Sequence, residues 1–228
     1  MSDLESSATS PLDTASVKQV AAVVRKRPRP GERRVQILQT LASMLEHSGT
    51  ERITTAALAA RLDVSEAALY RHFASKAQMF EGLIDFIEQT VFSLVNQIVE
   101  RESVSNTADV APDAQSGARQ AAKIIIMLIQ FAEKNPGMTR VMVGDALVFE
   151  NERLQQRMNL FFDKIEAALR QSLRGVADVS GSATPSVDTQ VRAAVLSAFL
   201  VGRLQRFARS GFKRRPSEHL EPSLALML

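Results

Sequence analysis

The sequence predicts an all-α fold, and three observations carry that expectation. Apolar residues recur at spacings of three and four through most of the chain, the period of a helix with one buried face. Aromatic residues make up only 5%, with 11 Phe, 1 Tyr and no Trp, whereas sheets draw on β-branched and aromatic alternation. The 10 Gly and 8 Pro fall mostly between the apolar-periodic segments, as punctuation between helices.

Residues 1–30 read as an unstructured tail that opens with Ser, Thr, Ala and Pro. From Val17 to Arg34 the chain carries seven cations (Lys18, Arg25, Lys26, Arg27, Arg29, Arg33, Arg34) against one acid, Glu32. Pro28 and Pro30 keep this stretch extended. A solvated tail and an arm lying on nucleic-acid phosphates both fit such a run. A first helix is expected over 32–47, with Val35, Leu38, Leu41, Ala42 and Leu45 on one face and Gly49 as its stop. A short helix over 55–62 follows, with Thr54 as N-cap. Asp63 tolerates the left-handed position of a tight turn, and Ser65 caps a third helix reaching about residue 73. Ser75-Lys76-Ala77-Gln78 reads as a capping box opening a long fourth helix to about residue 100.

A polar loop over 103–117 separates that helix from a strongly apolar one over 118–135, which Asn135-Pro136-Gly137 breaks. Residues 124–129 are apolar on every side, which predicts a central helix covered by its neighbours. Further helices are expected over 137–148, 151–174 and 187–211, with a Gly/Ser/Pro loop over 176–186 and a short terminal helix from about 218. The domain division that follows is a basic tail (1–30), a small helical head (31–78) and a larger helical body (79–228).

Composition narrows the function. With 28 basic and 25 acidic residues the formal charge is only +3, so charge matters by location. The absence of cysteine excludes disulfide scaffolds, Cys-ligated metal and thiol chemistry. The acidic start, Met1 to Glu5, has no apolar core of a secretory signal, and no apolar run approaches the ~18 residues of a membrane span. A cytoplasmic protein with no membrane partner is the expectation. His47, His72 and His219 are far apart and lack metal-ligand spacing, and no Walker, dinucleotide or nucleophile-elbow motif occurs. No catalysis, metal or cofactor is expected.

The strongest signal lies between Arg52 and Leu83. Two short helices joined by a tight turn are helix-turn-helix geometry, although generic helical hairpins share that spacing. Ile53, Leu58, Leu62, Val64, Leu69, Phe73 and Phe80 are positioned to meet in one small core, with Ala59 small at the helix crossing. The exposed face of the second helix then keeps Ser65, Glu66, Ala67, Ala68, Tyr70, Arg71 and His72. Small residues at its start let a helix approach base edges in a major groove. Ser65 suits a phosphate or base, and Ala67 or Ala68 a thymine methyl. Arg71, His72 and Lys76 offer charge to the backbone, and the Tyr70 hydroxyl a phosphate contact.

At these residues the sequence resembles the TetR family of bacterial DNA-binding regulators. The carriers are Ile53-Thr54-Thr55, Leu58-Ala59, Val64-Ser65, Leu69-Tyr70-Arg71-His72-Phe73 and Ser75-Lys76, with Asp63 standing where the family usually has Gly. The resemblance implies an all-α homodimer with a DNA-reading head and a helical body, bound to palindromic double-stranded DNA. The expected DNA-binding set is Arg33, Thr54, Thr55, Ser65, Glu66, Ala67, Ala68, Tyr70, Arg71, His72 and Lys76.

Stretches of the body, Asn135-Pro136-Gly137, Phe149 to Gln155 and Phe212-Lys213-Arg214-Arg215-Pro216, are similar to the nucleoid occlusion members of that family. That similarity implies a nucleoid-associated protein that opposes assembly of the tubulin-like division protein FtsZ over the chromosome. It points to a groove at the fourth helix, with Phe86, Met127, Gln130, Lys134 and Asn135 as FtsZ-binding residues. It also implies a dimer interface from the helices over 151–174 and 187–211, through Met158, Phe161, Phe162, Ile165, Val195, Phe199 and Gly202. A ligand-responsive transcriptional repressor is the alternative within the same family.

Overall fold

The computed structural model describes residues 31–47, 53–105, 114–179 and 183–228, and among these it contains helices and no strand. The order is α1 (Glu32–His47), α2 (Thr55–Arg61), α3 (Glu66–Tyr70), α4 (Lys76–Ser105), α5 (Ala114–Lys134), α6 (Pro136–Met142), a 3-10 turn (Asp145–Leu147), α7 (Glu152–Val179), α8 (Pro185–Arg209) and α9 (Leu220–Met227). The expected tail over 1–30, Gly49 and Arg52 lie outside the described residues.

The head closes around the apolar set expected of it. Leu58, Leu69, Phe73 and Phe80 are each 1% exposed, Ile53 and Ala59 are buried, and Leu62 and Val64 pack against them. Each large side chain so buried contributes about 1.5–3 kcal/mol. In α1 the inward stripe is Ile37, Leu41, Ala42 and Leu45, whereas Val35 is exposed. Val35 lies at the edge of an arc that Ile37 centres better, because Ile37, Leu41 and Leu45 repeat at four. The third helix ends at Tyr70 rather than near 73, and the turn that follows turns Phe73 inward.

Helix α4 belongs to both parts of the molecule. It starts under the head and runs unbroken past residue 78, so head and body share one rigid element. Gly82 lies where a Cβ would sit 3.0 Å from the Phe73 ring, so the head packs directly on α4. A second junction joins α1 to α6. Gly137 sits so close to α1 that a Cβ there would lie 1.9 Å from the Ala42 carbonyl oxygen.

The body is built on α5, α7 and α8. Leu154, Met158, Phe161, Ile165, Leu169 and Leu173 form the inner stripe of α7, each at most 1% exposed. They meet Ile124, Ile125, Leu128 and Ile129 of α5 and Leu196, Leu200 and Leu204 of α8 in one core. The run over 124–129 is not covered on every side: Ile126 and Met127 are half-buried on its outer flank.

Several boundaries differ from the sequence expectation. The loop over 103–117 is shortened at both ends, since α4 continues to Ser105 and α5 starts at Ala114. An ion pair from Lys123 to the mostly buried Glu102 ties the end of α4 to α5. The helix expected over 137–148 stops at Met142, because Gly144 takes a left-handed φ of +84° before the 3-10 turn. Helix α7 extends to Val179, into the loop expected over 176–186.

Candidate nucleic-acid interface

Helices α2 and α3 are held at a fixed angle by local chemistry. The Thr54 hydroxyl accepts from the Ala57 N–H at 3.1 Å, and the Ser65 hydroxyl from the Ala68 N–H at 3.3 Å, so each helix is N-capped. Asp63 stands at φ +54° in the turn, the left-handed position that Gly fills without strain and Asp tolerates. The Val64 N–H then donates to the Ala59 carbonyl at 3.0 Å, which seats the turn on α2.

A polar chain crosses the outer face of the two helices. The Tyr70 hydroxyl donates to Thr55 Oγ1 at 3.5 Å, and the Thr55 hydroxyl donates to Glu66 Oε2 at 2.5 Å. Thr55 and Glu66 are thus engaged with each other, and Tyr70, 45% exposed, is oriented by them. Ser65, Ala67, Arg71 and His72 are exposed on the same surface, and Ala68 is half-buried. Thr54 lies at the adjoining tip of α2.

One cation behaves differently from the sequence expectation. Lys76 points to the body, 2.5 Å from Glu150, with its side chain only 19% exposed, so its charge is already neutralised in the chain. Arg33 binds Gln36 at 3.2 Å within α1. Sequence reasoning missed Arg34, which donates to the His72 carbonyl at 3.0 Å and lies 4.1 Å over the Phe73 ring. It anchors the end of the second helix of the motif to α1. The capping box is half formed: the Gln78 N–H donates to Ser75 Oγ at 3.2 Å, while Gln78 Oε1 accepts from Ala74 rather than Ser75.

A row of ion pairs ties α4 to α7. Arg153 meets Glu81, and Arg157 meets both Asp85 at 2.8 Å and Glu88 at 2.9 Å. Burial works against the Arg157 charge, but the bonds and charges of Asp85 and Glu88 outweigh it and hold the guanidinium above its ordinary value.

The residues expected to bind a partner protein are only partly gathered. Met127, Gln130 and Lys134 follow one outward line of α5, and Phe86 is exposed on α4. Lys134 and Asn135 line a small groove of about 220 Å³, but its other walls are Gln39, Ala42, Ser43 and Glu46 of α1 with Gly137 and Met138 of α6. Phe86, Met127 and Gln130 do not line it. The Asn135 amide donates to the Phe131 carbonyl at 2.8 Å.

The residues expected at a dimer interface divide sharply. Met158, Phe161 and Ile165 are buried inside their own subunit and are corrected to core residues, because α7 turns that stripe toward α5 and α8. Phe162 is half-buried, edge-on to Phe161 at 5.2 Å. Val195 is 48% exposed, and Phe199 and Gly202 are half-buried on the outward side of α8. Val187, Val191 and the α7 residue Leu160, at 53, 55 and 56% exposure, extend the same kind of surface. Leu160 was the residue the apolar periodicity concealed, since it falls off the inner stripe.

Comparison with known proteins matches this geometry. Residues 37–83 match the model of the bacterial regulatory proteins of the tetR family, and residues 118–228 that of the SlmA-like tetracyclin repressor-like C-terminal domain. The chain is 47% identical over 201 residues to the nucleoid occlusion factor SlmA of Aliivibrio fischeri, covering 88% of this chain and 96% of that one. It is 46% identical over 200 residues to SlmA of Vibrio vulnificus, covering 87% and 95%. Among solved structures, the fatty acid degradation regulator FadR of Bacillus halodurans superposes with a TM-score of 0.63 at 14% identity, covering 89% of this chain and 97% of that one. FadR of Bacillus subtilis, solved with stearoyl-CoA, gives 0.62 at 13%, covering 85% and 96%. The latter two share the fold. The chain belongs to the TetR family, among its SlmA nucleoid occlusion factors.

Proposed function

We propose that the chain binds a palindromic duplex site as a homodimer and, from that nucleoid-bound position, opposes FtsZ assembly over the chromosome. The observation that carries the DNA reading is the outer face of α3. Ser65, Ala67 and Ala68 keep its leading edge small, and Tyr70, Arg71 and His72 surround it with donors. The chain Tyr70–Thr55–Glu66 orders this face before DNA arrives, so little freedom is lost on binding. Thr54 and Arg33 flank it as backbone contacts. Lys76 is left out of the set because Glu150 already holds it.

Dimerisation uses the outward side of α8, with Val187, Val191, Val195, Phe199 and Gly202, beside Leu160 of α7. Space beyond Gly202 is open to a close-approaching helix, with nothing within 4 Å of a Cβ built there. Two such helices from each subunit make a four-helix interface about a two-fold axis, which sets two reading heads against a palindrome. Among the described residues no helix is long and apolar enough to cross a membrane. FtsZ is expected at Phe86, Met127, Gln130, Lys134 and Asn135, a set that combines a cation with apolar side chains and suits a short acidic or apolar peptide.

The test is sedimentation of polymerising FtsZ with the purified protein, with and without a duplex selected for binding. Loss or remodelling of polymer that the selected duplex enhances supports the proposal. FtsZ polymer indifferent to the protein in both conditions overturns it and leaves an ordinary repressor.

A further inference from the structure

The far end of α8 carries a second cationic cluster, on a different element from α3. Between residues 203 and 219 six cations (Arg203, Arg206, Arg209, Lys213, Arg214, Arg215) face one acid, Glu218. That local excess of five charges exceeds the +3 of the whole chain. The chain folds this segment back on itself through three left-handed residues, Gly211 at φ +61°, Phe212 at +65° and His219 at +53°. The result is a concavity of about 280 Å³ lined by Arg203, Arg206, Arg214, Arg215, Pro216, Glu218 and His219.

The concavity has a rigid floor. Arg203 donates to the Pro216 carbonyl at 2.9 Å, to the Glu218 carbonyl at 2.5 Å and to Ser223 Oγ at 2.9 Å. Ser217 donates to Glu133 of α5 from both its N–H, at 3.1 Å, and its hydroxyl, at 2.6 Å. Phe207 and Phe212 meet edge-on at 5.0 Å. Two non-glycine residues in left-handed backbone cost energy that the surrounding contacts must offset. Over this floor the guanidinium groups of Arg206, Arg214 and Arg215 have no hydrogen-bond or ion-pair partner among the described residues. Burial, and then the like charge of Arg206, hold Arg203 below its ordinary value, against the opposing pull of Glu218.

We propose that this concavity binds a small phosphorylated anion, of the size of pyrophosphate or the polyphosphate end of a nucleotide. Guanidinium forks match phosphoryl oxygens two by two, and groups supplied from two segments, α8 and the turn after it, enclose an anion rather than track a strand. The Glu218 carboxylate also belongs to the lining, 3.9 Å from His219. This site is independent of the FtsZ and DNA readings.

The test is calorimetric titration of the full chain with inorganic pyrophosphate at low salt. Saturable binding of one anion per subunit is expected, weakened at least tenfold by Arg214→Ala/Arg215→Ala and, outside the turn, by Arg206→Gln. Arg214→Lys/Arg215→Lys keeps the charge but not the fork and is expected to weaken binding as well. Circular dichroism melting separates these losses from misfolding. Absence of saturable heat, or affinity unchanged in Arg206→Gln and in both double variants, overturns the site. So does loss of duplex affinity in Arg206→Gln with no pyrophosphate binding to the parent, which makes the patch a DNA contact.

Discussion

Lys76 and Glu150, 74 residues apart in sequence, meet at 2.5 Å with side-chain exposures of 19 and 8%. The first residue of α4 is thereby fastened to the segment that leads into α7. Removing one member of a shielded pair leaves the other charge poorly solvated. Glu150→Gln is expected to lower stability by about 1–3 kcal/mol, read by urea denaturation. Arg153→Gln, whose side chain is 60% exposed, is expected to cost less than about 1 kcal/mol. Equal effects of the two substitutions would show that burial does not set the strength of this row.

Tyr70 provides a graded test of the reading face. Tyr70→Ala is expected to weaken binding to a selected duplex by about 1–3 kcal/mol, measured by fluorescence anisotropy. Tyr70→Phe keeps the ring and loses the bond to Thr55, so it is expected to fall between the parent and Tyr70→Ala. Full affinity in Tyr70→Ala would remove this residue from the interface.

The two apolar faces of α7 and α8 call for opposite outcomes. Val195→Asp on the exposed side of α8 is expected to give folded monomers in sedimentation velocity. Met158→Asp places a charge in the core and is expected to unfold the subunit instead. A folded dimer carrying Val195→Asp would move the interface elsewhere.

Gly137→Ala probes the contact between head and body. The added Cβ would overlap the Ala42 carbonyl, which belongs to helix backbone and yields only if α1 shifts. Destabilisation of at least about 1–3 kcal/mol is expected in thermal or urea melts. A neutral effect would mean that α1 and α6 slide apart without cost.

Deleting residues 1–30 removes five of the seven cations found between Val17 and Arg34. Affinity for all duplexes is expected to fall, and the dependence of log affinity on log salt to flatten. An unchanged slope would mean that the arm does not touch phosphates.

The head was legible in the sequence because local rules decide it. Thr54 and Ser65 as caps, Asp63 in left-handed backbone and the Leu58–Leu69–Phe73 core all follow from residues within one short stretch. What the sequence concealed depends on contacts between distant elements. Lys76 reads as a free cation until Glu150 is brought beside it. Met158, Phe161 and Ile165 form an apolar stripe, but periodicity does not say whether a stripe meets its own subunit or another. The continuation of α4 through a polar stretch depends in part on Glu102 finding Lys123 on a different helix.

The unbroken course of α4 bears on how this protein tolerates recombination. A reading head cut at residue 78 and grafted onto another body would keep Lys76 and leave Glu150 behind, while its α1 would face a foreign body in place of Gly137. The exchangeable unit is therefore not the three-helix head. A chimera that keeps the reading face correctly aimed has to carry α4, α6 and the start of α7 along with it, which ties any change of DNA specificity by domain exchange to the body that presents it.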